Sequence, residues 1–85
     1  MNAAIENNKD YQTALRTAIK RRMELGGMSK DELAKAAGMR GDYLGHVLSG
    51  RRPVSVETQS KLVPWLCTTV DGLNREAKRI VDGGK

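Results

Sequence analysis

The sequence predicts an all-α domain, a compact bundle of about five helices. Three observations carry this. Apolar residues recur at three- and four-residue steps in successive segments. Glycines and a proline punctuate those segments where helices end or begin. No stretch alternates apolar and polar residues convincingly as a strand would. The chain has 85 residues, which suits one domain near the lower end of what folds alone. With no phenylalanine, one tryptophan and two tyrosines, the core must be aliphatic and small. A partner or a second copy could then supply part of the stability.

Residues 1–8 are polar and read as a flexible arm. A first helix is expected near 10–25, because Tyr11, Leu15, Ala18, Ile19, Arg22 and Leu25 share one face. Arg16, Lys20 and Arg21 fall toward solvent or a partner, and Gly26-Gly27 stops the helix. Ser29-Lys30-Asp31-Glu32 is a capping box opening a helix near 30–37. Leu33, Ala34 and Ala37 form its narrow apolar face, and Gly38 ends it. Leu44, Val47 and Leu48 define a third helix near 41–48, closed by Ser49-Gly50. Gly41 and Gly45 lie within this helix, at about 1 kcal/mol each relative to alanine. Ser55 caps a fourth helix near 56–62, with Glu57 in its first turn.

Pro64 disfavours helical geometry at Val63 and suits the first turn of a new helix. A C-terminal helix is therefore expected over 64–82, with residues 83–85 as a tail. Its stripe, Leu66, Val70, Leu73, Ala77 and Ile80, steps by four and three. Leu66 and Val70 are expected to pack inward, leaving Leu73, Ala77 and Ile80 exposed enough to dimerise. Trp65 is expected to anchor a core or an interface, and Cys67 to be a small buried hydrophobe.

The formal net charge is +5 and the pI is near 9.7. A small basic domain suits a polyanionic partner, nucleic acid first. The single cysteine excludes an internal disulfide and a cysteine-rich zinc site, and a lone thiol fits a reducing cytoplasm. The opening MNAAIENNKD has no apolar run, so no signal peptide is expected, and no segment is apolar enough for a membrane span. The one histidine has no metal-ligating neighbour, and there is no paired-carboxylate or triad pattern. No catalytic residue, metal or cofactor is expected.

Two helices, a tight turn with glycine, and a following helix with a polar outer face form a helix-turn-helix. The run from Ser29 through Glu32-Leu33-Ala34 and Ala37-Gly38-Met39 to Tyr43-Leu44 and Val47-Leu48-Ser49-Gly50-Arg51-Arg52-Pro53 resembles the lambda repressor/Cro-like helix-turn-helix family of phage repressors and related bacterial regulators. The resemblance spans about Leu15 to Leu73. It implies a lambda repressor-like fold that binds operator DNA, usually as a dimer. By position in the family pattern, Arg40, Gly41, Asp42 and His46 resemble base-reading sites. Lys30, Arg51 and Arg52 resemble phosphate contacts. The chain departs from the family in lacking a serine or threonine cap where Arg40 stands, and longer polar residues where Gly41 and Gly45 stand.

The residues themselves suit these roles. An arginine reads guanine O6 and N7 in a bidentate pair, and an aspartate accepts from a cytosine amino group. Asp42 would equally favour the helix N-terminus or orient Arg40. The Tyr43 hydroxyl can bond a phosphate, and a glycine at Gly41 or Gly45 lets backbone approach DNA closely or makes room for a neighbour. Trp65, Leu73, Ala77 and Ile80 are the dimer-interface candidates. The expected function is a sequence-specific, double-stranded DNA-binding transcriptional regulator, a small phage- or prophage-type repressor in a bacterial cytoplasm. The alternatives are the antitoxin of a toxin–antitoxin pair, or a helical protein-interaction module that does not read DNA. A toxin or an anti-repressor would be a further protein partner.

Overall fold

The computed structural model describes residues 8–83. It is all-α, as the sequence predicts. The helices are α1 (Lys9–Leu25), α2 (Lys30–Ala37), α3 (Gly41–Ser49), α4 (Val56–Leu62) and α5 (Val70–Gly83), with a short 3₁₀ turn, Val63–Trp65, after α4. The arm expected over residues 1–8 lies outside the described residues except for Asn8, as does the expected tail except for Gly83. Asn8 caps α1, its side chain accepting the Tyr11 N–H at 3.0 Å.

Local capping fixes the helix starts. Ser29 Oγ accepts the Glu32 N–H at 3.1 Å and Glu32 Oε1 accepts the Ser29 N–H at 2.9 Å, a complete capping box. These bonds, the Ser29 N–H first, hold the Glu32 carboxyl below its ordinary pKa. Ser55 caps α4 through the Thr58 N–H at 3.1 Å. Gly38 ends α2 at φ 71°, a left-handed conformation that glycine adopts without steric cost. The following Met39 N–H returns to the Ala34 carbonyl at 2.8 Å and closes the turn.

Helices α1 and α5 make the most extensive helix contact of the domain. Leu15, Ala18 and Ile19 of α1, Leu33 of α2, Leu44 and Val47 of α3, Leu62 of α4, and Leu73 and Ala77 of α5 are fully buried in one core. A polar seam stiffens its edge. The Tyr11 hydroxyl donates to Asn74 Oδ1, and Asn74 Nδ2 donates to Gln59 Oε1 at 2.7 Å. Gln12 Oε1 accepts the Val54 N–H at 2.6 Å, which seats the buried Val54 after the α3–α4 turn.

Four expectations are corrected. First, no helix runs over 64–82: α5 begins at Val70. Leu66 closes the 3₁₀ turn on the Val63 carbonyl at 3.0 Å, and Cys67 adopts φ 55°. The helix restarts only where Thr69 provides a cap, its hydroxyl accepting the Gly72 N–H at 3.0 Å. Glycine at 72 avoids crowding there, because a Cβ would stand 2.6 Å from Thr68 Oγ1 and the threonine would have to shift. Second, Cys67 is exposed, since the left-handed turn directs it away from the core. Third, Leu73 and Ala77 are 0% exposed. They face α1 within the same chain, so neither lies on a dimer surface. Fourth, Leu25 is 86% exposed and Met23 takes the core position. Arg22, expected on the apolar face, instead closes its rim. Its Nε meets Glu76 Oε1 at 2.9 Å, and its Nη1 donates to the Leu66 and Cys67 carbonyls at 3.3 and 3.2 Å.

Cys67 holds a left-handed conformation without a glycine. That conformation costs a residue with a Cβ about 1–2 kcal/mol, against about 0.5–1 kcal/mol of extra chain entropy for glycine. Cys67→Gly is therefore expected to raise stability by about 0.5–1 kcal/mol. Urea unfolding followed by circular dichroism reads this directly. A fall in the midpoint would mean that the thiol makes a contact worth more than the relief.

Candidate nucleic-acid interface

The α2–turn–α3 unit sets the geometry of the surface. Leu33 and Ala34 of α2 and Leu44, Val47 and Leu48 of α3 are buried together, which fixes the inner faces of both helices. Of the remaining positions of α3, Asp42, Tyr43, His46 and Ser49 are exposed, and Gly41 and Gly45 are partly buried. An α-helix of nine residues is about 13 Å long, short enough to lie along a major groove with its outer face against base edges.

Arg40 precedes α3 and makes no side-chain cap. Its guanidinium reaches forward instead: Nε to Asp42 Oδ1 at 3.2 Å and Nη2 to Asp42 Oδ2 at 3.4 Å. Asp42 Oδ1 also accepts the Tyr43 N–H at 3.0 Å, which pins the carboxylate to the first turn of α3. Desolvation works to raise the Asp42 pKa, but the Arg40 charge, the Tyr43 N–H and the Arg40 hydrogen bond hold it below its ordinary value. The carboxylate is thus charged and oriented, and the side chains of the pair are 85% and 61% exposed. A surface pair of this kind contributes little stability. It does present a planar donor fork and a fixed acceptor side by side, the two group types that discriminate base edges.

Gly41 and Gly45 face the first turn of α2. A Cβ at Gly41 would lie 3.3 Å from Asp31 Oδ1, and one at Gly45 would lie 3.5 Å from Lys30 Nζ and 3.7 Å from Lys30 Cδ. The glycines therefore make a seat for the Lys30 and Asp31 side chains across the start of α3. Lys30 Nζ lies 3.5 Å from Asp31 Oδ1. This brings Lys30 beside Gly45, on the same surface as the Arg40–Asp42 pair. Tyr43 is 38% exposed next to that pair and lines a shallow groove with Met39, Arg40, Glu57 and Lys61. His46 is exposed one turn beyond Asp42.

Arg51 and Arg52 lie at the opposite end of α3, both exposed. Their backbone N–H groups donate to the His46 carbonyl at 2.9 and 3.1 Å, after Gly50 turns the chain at φ 96°. Arg16 of α1 completes this end. Its Nε donates to the Val47 carbonyl at 2.8 Å and its Nη2 to the Arg52 carbonyl at 3.2 Å. The sequence reading placed Arg16 toward solvent or a partner, and it missed both this clamp and the position of Asp31. No local signal marks the clamp, because its acceptors are backbone carbonyls far along the chain. Asp31 was absorbed into the capping box, where its residue type needs no second role.

Of the dimer candidates, Trp65 is 47% exposed on the 3₁₀ turn. Ile80 is partly buried against the core, and Leu73 and Ala77 lie within it. Among the described residues, no group of His, Cys, Asp and Glu is arranged to hold a metal ion, and no helix is long and apolar enough to cross a membrane.

A family model described as helix-turn-helix matches residues 19–63, more than half of the chain. No curated protein and no solved structure matches. The matched span runs from the second half of α1 through the 3₁₀ turn's first residue and contains the whole α2–turn–α3 unit with its exposed polar face. The chain belongs to the lambda repressor/Cro-like helix-turn-helix family of DNA-binding transcription regulators.

Proposed function

We propose that the protein is a small repressor of phage or prophage type that binds a pseudo-palindromic operator as a homodimer. Two copies place α3 in successive major grooves about 34 Å apart, and occupancy of the operator blocks the polymerase. The observation that carries this reading is the exposed Arg40–Asp42 pair pinned to the first turn of α3. In the groove, Arg40 reads guanine and Asp42 accepts from cytosine. His46 meets a base edge one turn further along. Gly41 leaves room for the Asp31 side chain beside the helix start, close to the base-reading pair. Lys30, Tyr43, Gly45, Arg51 and Arg52 take the sugar–phosphate backbone, where charge and reach matter more than fixed geometry. The exposed Trp65, with Ile80 beside the core, remains the candidate surface for the second copy.

Selection from a random-sequence duplex pool, with sequencing of the bound fraction, tests this reading. It predicts a dyad-symmetric motif with half-sites one helical turn apart. In Asp42→Asn the preference relaxes by about 1–3 kcal/mol at the base pair Asp42 meets, and also at the one Arg40 meets because its guanidinium loses its carboxylate partner, while the position met by His46 keeps its preference. A pool with no enriched motif would contradict sequence reading, and a motif without dyad symmetry would contradict the dimer.

Gly45 separates a shaped surface from a permissive one. Alanine in a helix interior is favoured over glycine by about 1 kcal/mol, and the nearest atoms to its Cβ belong to the movable end of Lys30. Gly45→Ala is therefore expected to unfold at higher temperature. Its operator affinity is expected to fall several-fold, about 1 kcal/mol, because the methyl group packs against Lys30 Nζ and Cδ and restricts the reach of the ammonium toward a phosphate. A variant that gains stability and keeps full affinity would show that glycine is not needed there for binding.

A further inference from the structure

We propose that a groove between the second half of α1 and the end of α5 docks an acidic, amphipathic peptide segment of another protein. The site uses no residue of the α2–turn–α3 surface. The groove encloses about 400 Å³ and is lined by Arg21 of α1 and by Glu76, Arg79, Ile80 and Gly83 of α5.

Its positive charge is uncommitted. The carboxylate that lines it, Glu76, is already held by Arg22 Nε at 2.9 Å. Arg22 also donates to the Leu66 and Cys67 carbonyls, which fixes that pair against the turn before α5. Arg21 and Arg79 are exposed, and neither guanidinium has a hydrogen bond or an ion pair among the described residues. Arg40 and Arg75, by contrast, each face an aspartate. Two free donor forks on helices that pack together suit carboxylates, which an arginine meets in bidentate pairs.

The groove also has an apolar side. Ile80 lines it and is only partly buried against the core. Leu25 stands one turn beyond Arg21 on the same side of α1 and is 86% exposed. A segment that carries leucine or isoleucine between its carboxylates would bury this surface while it neutralises the arginines. Ile80 is also part of the surface proposed above for the second copy, so peptide and second copy compete for it.

The same features disfavour nucleic acid. Glu76 would face a phosphate, and the last turn of α5, which ends the groove at Gly83, contains no basic side chain. The carbonyls at a helix C-terminus carry partial negative charge and repel a phosphate. A peptide brings backbone N–H donors to them together with its carboxylates. Arg21 also stands about 140° around α1 from Arg16, away from the end of α3 that Arg16 holds.

The test is fluorescence anisotropy of a labelled peptide titrated with the full chain. The peptide has about eight residues, glutamates interleaved with leucines, and spans roughly 27 Å extended, against roughly 21 Å for α5. Arg21→Gln/Arg79→Gln is compared with Lys35→Gln/Lys61→Gln, which removes the same charge from exposed lysines of α2 and α4. Both are checked for folding by circular dichroism. The arginine variant is expected to bind about tenfold more weakly, the loss of two charge-assisted pairs, and the lysine variant to stay close to wild type. A peptide with glutamine for glutamate is expected not to bind. In the ¹⁵N-labelled protein, amide shifts are expected at Arg21, Leu25, Arg79 and Ile80. Equal weakening in both variants, or shifts centred on Gly50 to Arg52, would overturn the groove and leave the peptide drawn by net charge alone. Wild type failing to bind the peptide would overturn it too, with the DNA reading untouched. A random-sequence duplex is expected to bind the two variants alike. A salt slope lowered by about 1.8 in the arginine variant alone, two phosphate contacts, would make the patch a nucleic-acid surface and overturn the peptide reading.

Discussion

The orientation of α3 depends on one arginine. Arg16 projects from α1 and donates to the Val47 and Arg52 carbonyls, on either side of the Gly50 turn. A helix leaves its last carbonyls unsatisfied and ends with partial negative charge. Here a partly buried guanidinium meets both needs and ties the C-terminal end of α3 to the longest helix of the domain. The N-terminal end of α3 is held differently. Gly41 and Gly45 admit Lys30 and Asp31 of α2 against the helix, and Leu44 and Val47 anchor it below. With both ends and the inner face held, the outer face of α3 has a set orientation on the domain.

Behind this face, α1 and α5 form a frame that a small aliphatic core alone would not make stiff. Arg22 bridges Glu76 and the carbonyls of Leu66 and Cys67, so it binds the turn before α5 to α1. Tyr11, Asn74 and Gln59 form a polar seam on the same side. These contacts explain why Leu73 and Ala77 belong to the core. The frame consumes the apolar stripe of α5, and Trp65 on the 3₁₀ turn is left as the large exposed apolar group near the end of the matched family span.

What was legible in the sequence was mostly local. Capping and chain reversal are decided within a few residues, so Ser29 with Glu32, Gly38 and Ser55 announced their roles directly. The all-α class followed from apolar spacing. The turn after Pro64 was not legible. Proline there suits a helix start as well as a 3₁₀ turn, and a cysteine gives no sign that it will adopt a left-handed conformation. Periodicity showed that Leu73 and Ala77 share a face but not which helix covers it. The site was partly legible: its position on α3 followed from the family resemblance and the polar face. The seat that Gly41 and Gly45 provide and the Arg16 clamp were not, because their partners lie elsewhere in the chain and, for Arg16, are backbone atoms that no sequence pattern marks.

The cations of the surface differ in their neighbours. Lys30 and Arg40 carry carboxylates beside them, which lowers their pull on any phosphate and makes their orientation matter. Arg51 and Arg52 carry none among the described residues, which suits them to the salt-dependent attraction of the proposed DNA contact. The most direct measurement is an NMR titration of the ¹⁵N-labelled protein with a duplex carrying its selected site. The account predicts amide shifts concentrated at Lys30, Gly41 to His46, and Gly50 to Arg52, with Lys78 and Arg79 on α5 unmoved. Shifts centred on Trp65 and α5, with the α3 amides unchanged, would contradict it and place the binding surface elsewhere on the domain.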